Sequence, residues 1–128
     1  MTEEKSDQLK REFPKLFELA QSPFITEGFR FGDGWYNLIH DMCLSLNDVV
    51  VQEELDFVIM QMKEKFGELR MYTIGGTDIT EKIIDYAWER SRETCERCGA
   101  KGKVRQAKWY LQCLCDNCLR DTIKEELV

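Results

Sequence analysis

The chain has no run approaching the roughly 20 apolar residues that a membrane-spanning helix needs, and only one histidine and two prolines in 128 residues. The first absence argues against a helical membrane anchor. At the N-terminus, MTEEKSDQLKREF carries charge where a signal peptide would have its apolar segment, so a cytoplasmic protein without membrane partners is expected. The shortage of histidine means that any histidine-based acid–base chemistry would rest on His40 alone. Serine–histidine–aspartate spacing, a phosphate loop and a paired-carboxylate motif are all missing, as are internal repeats and low-complexity tracts. A non-enzymatic protein is expected.

What is present is globular in composition, with 43% hydrophobic and 33% charged residues. The length suits one main core plus a small stapled module. The net charge of −6 is uneven: residues 1–94 hold eleven Lys and Arg against nineteen Asp and Glu, whereas residues 95–128 hold seven against five. An acidic body repels phosphate backbones, which would confine any nucleic-acid contact to the C-terminal part.

Periodicity predicts the elements. Leu9, Phe13, Leu16 and Phe17 share a helical face over residues 4–20, and Pro14 predicts a kink or the start of a second short helix. Residues 21–34, with Pro23, Gly28, Gly32 and Gly34, read as a loop with a short extended piece at 29–31. Trp35, Leu38, Ile39, Met42, Leu46 and Val49 define the strongest amphipathic helix, for which Asp33 is the expected cap. Residues 56–74 predict a hairpin about KEKFGE, with the run from Phe57 to Met62 apolar enough for an inner strand covered by helices. A further helix begins at Thr77 or Asp78, with Glu81 placed for a capping box, and carries a stripe of Ile79, Ile83, Ala87 and Trp88. Leu119, Ile123 and Leu127 predict a short terminal helix. The expected fold class is α+β, with helices packed on a small antiparallel hairpin or sheet and a C-terminal four-cysteine zinc ribbon. The expected organisation is a body over residues 1–93 and a module over 94–128, docked rather than tethered, since no Gly, Pro or Ser linker precedes Cys95.

Five of the six cysteines fall in CERCGAKGKVRQAKWYLQCLCDNC, residues 95–118. Cys95 with Cys98 and Cys115 with Cys118 form two C-x-x-C pairs, the pattern of a closed four-thiolate site. In a reducing compartment such spacing favours metal over disulfides. One structural Zn2+ is predicted, with iron as the other metal that four-sulfur sites accept. Cys113 lies two residues before Cys115, on the same face of a strand, and is either a substitute ligand or a free thiol; Cys43 is a core residue.

Between the pairs, Lys101, Lys103, Arg105 and Lys108 precede Trp109, Tyr110 and Leu111. One reading is a basic surface whose aromatics stack on nucleic-acid bases. The other has Trp109 and Leu111 pack the module onto the body while the lysines are solvated or meet a protein, and the acidic body favours it. Phe66, at the tip of KEKFGELR, is a candidate protein anchor flanked by charge. A third reading places a small-molecule or enzymatic site around Asp33, Trp35 and His40.

The ordered set of GDGW at 32–35, KEKFGELR at 63–70, CERCGAKGKVR with a following tryptophan, and LCDNC resembles a group of small zinc-ribbon proteins found in bacteriophages and prophages, from about residue 13 onward. Glu68 stands where those proteins commonly have a second glycine, and Cys113 where threonine is common. The resemblance implies a phage origin, action in the bacterial host cytoplasm, and zinc binding, without implying a mechanism. The combined expectation is an accessory protein that binds a host or phage protein, inhibiting a host defence or other host process; the alternative is a nucleic-acid-binding regulator.

Overall fold

The computed structural model describes residues 1–18, 29–107 and 109–126. Lys108, Leu127 and residues 19–28, which include Ala20, Pro23 and Gly28, lie outside the described residues. Helix α1 (Glu3–Glu12) starts where Thr2 accepts from Lys5 N, and Glu3 and Glu4 in its first turn and Lys10 and Arg11 in its last complement its dipole. Pro14 disfavours helical geometry at Phe13, whose φ and ψ are −125° and 61°. Residues 14–18 form turns rather than continuing the helix.

A single 3-10 turn, Asp33–Trp35, leads into α2 (Tyr36–Gln52), which buries Leu38, Ile39, Met42, Cys43, Leu46 and Val50. Asp33 does not cap this helix: its Oδ1 accepts from Thr2 N at 2.7 Å, tying the start of α1 to the loop. Val50, rather than Val49, completes the buried stripe.

Strands β1 (Val58–Lys65) and β2 (Glu68–Ile74) form the predicted antiparallel hairpin. Phe66 and Gly67 both have positive φ, 56° and 83°, the two-residue turn that follows the twist of the strands. Glu64 holds this turn by accepting from Gly67 N at 2.7 Å. Among the described residues the sheet has these two strands, and the other edge of β1 is also met by backbone, with Ile59 N donating to Leu16 O and Glu64 N to Arg30 O. The second of these contacts belongs to the extended piece predicted at 29–31.

Helix α3 (Asp78–Ser91) packs on α2 and on β2. Its N-cap is Thr77, which puts Thr80 rather than Glu81 at the third helical position, and the capping box closes through the Thr80 hydroxyl. Of the predicted stripe only Ala87 is buried, while Ile79 stands 47% exposed.

The C-terminal part adds a second antiparallel pair, β3 (Lys103–Ala107) and β4 (Tyr110–Leu114), followed by α4 (Asp116–Glu126), which packs against both strands. The architecture is α+β, with four α-helices among the described residues, two small antiparallel sheets, and the cysteine cluster near the C-terminus.

Candidate metal centre

Two different local structures present the four sulfurs. In the first pair the chain turns back on itself: Gly99 N donates to Cys95 O at 2.9 Å and Cys95 N to Ala100 O at 2.7 Å, with Gly99 at φ 85°. This left-handed turn needs glycine after Cys98. In the second pair Cys115 precedes α4 and Cys118 lies in its first turn, where Cys118 N donates to Cys115 Sγ at 3.4 Å. The helix start thereby places positive backbone charge beside thiolates.

The Sγ atoms of Cys95, Cys98, Cys115 and Cys118 all lie within 4.8 Å of one another. A zinc tetrahedron with Zn–S bonds of about 2.3 Å has sulfur–sulfur edges of about 3.8 Å; Cys98 and Cys115 are 3.6 Å apart. That separation is far too long for a disulfide of about 2.05 Å. The soft, all-thiolate donor set and its spacing fit a metal ion. Burial pushes the Cys95 thiol up, but N–H groups of Cys115, Cys98 and Arg97 outweigh it and bring the thiol down to about 7. Burial and the neighbouring thiols raise Cys118. At Cys98 the Ala100 N–H pulls downward and is overcome by burial and the sulfurs of Cys115 and Cys95. Four sulfurs this close resist joint ionisation unless a cation shares the site.

Cys113 is not among the four. Fully buried, it joins the core of the body, and burial raises its thiol to about 11. Strand alternation does put Cys113 on one face of β4, but β4 ends at Leu114, so Cys115 leaves the strand and turns to the cysteine cluster. Cys43 is likewise fully buried and its thiol is raised by desolvation.

GDGW proves to be the seat of the first cysteine pair. Gly34 N donates to Glu96 O at 2.8 Å, Gly32 N to Glu96 Oε2 at 2.9 Å, and Trp35 Nε1 to Thr94 O at 2.8 Å. A Cβ on Gly34 would lie 2.3 Å from Cys95 O and 2.6 Å from Gly99 N, both backbone atoms. Glu96 N also donates to Cys113 O at 2.9 Å. Glu96 is thus a buried acid holding two parts of the chain together, and desolvation raises its carboxyl. Sequence reasoning missed Glu96 because a Glu beside a cysteine reads as solvated surface.

The other candidate residues spread out. Trp109 is 83% exposed and does not pack the module onto the body; Tyr110 and Leu111 are also exposed. That packing falls instead to Cys113 and Val104. Arg105 is largely covered and donates to Asp116 Oδ1 at 2.7 Å, while Lys103 and Lys101 stay on the surface. Phe66 is 63% exposed with the Lys65 ammonium over its ring, and the turn it shares with Gly67 lies against Val104 and Gln112 of the β3–β4 pair. Asp33, Trp35 and His40 face different partners: His40 Nε2 meets Glu12 Oε2 at 2.5 Å, and its ring sits between Phe13 and Tyr36.

No helix among the described residues is long and apolar enough to cross a membrane. No protein-family model, curated protein or solved structure matches the chain.

Proposed function

We propose that the chain is a non-enzymatic, phage-type accessory protein that works in the cytoplasm of a bacterial host and binds a host or phage protein there, inhibiting a host defence or other host process. One structural zinc ion, held by Cys95, Cys98, Cys115 and Cys118, rigidifies the binding surface. The observation that carries this reading is the closed four-sulfur cluster at one end of a two-stranded ribbon whose other end carries exposed aromatics. With four protein ligands, zinc keeps no open position for a substrate, and its contribution is to the fold. What it stabilises is a ribbon whose end displays Trp109 and Tyr110, with the Phe66 turn lying against the same ribbon. Exposed aromatics of this kind are frequent anchors in protein interfaces.

The second reading, a nucleic-acid-binding regulator, draws on the same aromatics together with Lys101, Lys103 and Lys108. It is weakened because Arg105 is committed to Asp116. One experiment separates the two. Zinc-loaded protein, with Trp109→Ala and Phe66→Ala beside it, is used to capture partners from a bacterial lysate with and without nuclease. A nuclease-resistant protein retained by the parent chain and lost by either variant supports protein binding. A nuclease-sensitive capture, with affinity falling steeply as salt rises, supports the alternative. Elemental analysis giving one zinc per chain, lost in Cys98→Ser, tests the metal assignment.

A further inference from the structure

The outer face of the β1–β2 hairpin runs against the acidic charge of the body around it. Met62 and Leu69 are buried on the inner face, so the side chains that alternate with them point outward. Those side chains bring Lys63, Lys65 and Arg70 around one carboxylate, Glu68. That carboxylate is already shared between Arg70 at 2.9 Å and Arg92 at 3.2 Å. Glu64 is spent on the turn, accepting from Gly67 N. Among the described residues Lys63 and Lys65 have no carboxylate partner. Lys63 also stands directly across the sheet from Arg70, a like-charge pairing that destabilises a hairpin.

Three rings lie among these charges, each with a cation over it. Lys63 Nζ is 5.6 Å from the Tyr72 centroid, Lys65 Nζ is 5.6 Å from that of Phe66, and the Arg92 guanidinium is 5.2 Å from that of Trp88. Tyr72 and Ile74, 52% and 55% exposed, leave apolar surface open on the same face. Beyond Trp88 and Arg92 the surface becomes a cleft where Glu89 and Glu93 balance Lys101 and Lys103, so the excess of base is confined to the hairpin.

The charges state what fits. Two unpaired ammonium groups, steadied by ring contacts, are placed to meet carboxylates. A single-stranded nucleic acid would need open ring faces on which to stack its bases, and here cations already cover them. We infer that the outer face of the hairpin is a docking surface for an acidic segment of a partner protein. Lys63 and Lys65 take its carboxylates, while Tyr72 and Ile74 take its apolar side chains. The inference rests on the protein-binding reading and deepens it, extending the Phe66 site along the hairpin and fixing the charge of the partner.

The probe is a peptide of about 12 residues, longer than the eight-residue strand it must cover, with glutamate and leucine interspersed. Its counterpart has lysine in place of glutamate, and a thymidine oligonucleotide of the same length is the third probe. Each is titrated into isotope-labelled, zinc-loaded full-length protein and followed by amide shifts. The acidic peptide should saturate, shift amides within 61–74 and 88–92, and weaken roughly tenfold between about 0.05 and 0.3 M salt. The lysine peptide should not bind, and the oligonucleotide should bind more weakly than the acidic peptide. Lys63→Glu and Lys65→Glu should each weaken the acidic peptide about tenfold. Melting should not fall in Lys63→Glu, because an opposite-charge pair replaces a like-charge one. The charge-matched control Lys82→Glu should change affinity by less than about twofold.

No saturable binding, shifts spread outside those segments, equal binding of the two peptides, or equal weakening by Lys82→Glu and Lys63→Glu would each overturn the inference. Tighter binding of the oligonucleotide at the same amides would overturn it in favour of nucleic acid. A protein captured from lysate through Phe66, yet indifferent to Lys63→Glu and Lys65→Glu, would sink the acidic docking face while sparing the protein-binding reading.

Discussion

The body and the cysteine module are held together by opposite means. Among the described residues the main apolar cluster contains nineteen buried ones, eighteen from the body and one, Cys113, from the module. The module's own cluster has three, Cys95, Ala107 and Leu114. Burial at about 25 cal/mol per Å² of apolar surface stabilises a core of the first size, whereas three residues cannot offset the entropy of ordering some thirty. A small module in that position requires a staple, and the four sulfurs are placed to provide one. The contrast also shows how the halves communicate: Cys113 enters the body's core, and the GDGW backbone cradles the first cysteine pair.

Removing the metal should break the comparison most visibly. Structural zinc contributes apparent binding energies on the order of 10 kcal/mol. Chelation should therefore abolish amide protection over 94–126 while α2 and α3 keep theirs, as hydrogen exchange would show; simultaneous loss throughout would make the two regions one cooperative unit.

Gly34→Ala comes next. Its Cβ would meet backbone at 2.3 Å and 2.6 Å, with no flexible side chain to yield, so a loss of about 3 kcal/mol is expected in denaturant melts. The same variant should release zinc more readily to a competing chelator, since the strain falls on the Cys95–Gly99 turn. An effect on stability without any effect on zinc would separate the seat from the site.

Cys113→Ser puts a hydroxyl into a buried apolar site where the Thr94 N–H beside the sulfur is its one backbone partner, and should cost about 2 kcal/mol, with zinc stoichiometry unchanged. Loss of the metal in this variant would return Cys113 to the ligand set. Trp35→Phe keeps one aromatic ring but removes the rest of a fully buried indole and leaves Thr94 O without its donor, for an expected loss of about 2 kcal/mol. Trp109→Ala should change stability by less than about 0.5 kcal/mol, because the ring lies almost wholly in solvent; a large loss would show that it packs after all.

Legibility followed the range of the interactions. The hairpin was readable because Phe66-Gly67 sits between two β-favouring runs, and α2 because its apolar residues recur at helical spacing. The capping residues are less so: Thr77 with Thr80 and Asp78 with Glu81 offer two boxes one residue apart, and the chain closes the first, with Thr80 buried beside the cap. Trp109 misled for a related reason. Aromatic content argues for burial, but a residue beside the end of a two-stranded ribbon has no second layer to bury it.

GDGW shows the limit most plainly. Two glycines, an acid and a tryptophan are compatible with a ligand site, a turn or a seat, and the choice depends on Glu96, 64 residues from Gly32. The sequence alone determined which four cysteines come together, because C-x-x-C pairs constrain their own local geometry whatever surrounds them. It also determined most of the elements, which follow from neighbours three or four positions apart in helices and two in strands. Only the tertiary structure decided that Cys113 belongs to the other region's core, that Arg105 is held by Asp116, and that a cleft opens between α2 and α3. Periodicity states which face of an element is apolar, but what covers that face, or leaves it open, is settled by the packing of distant segments.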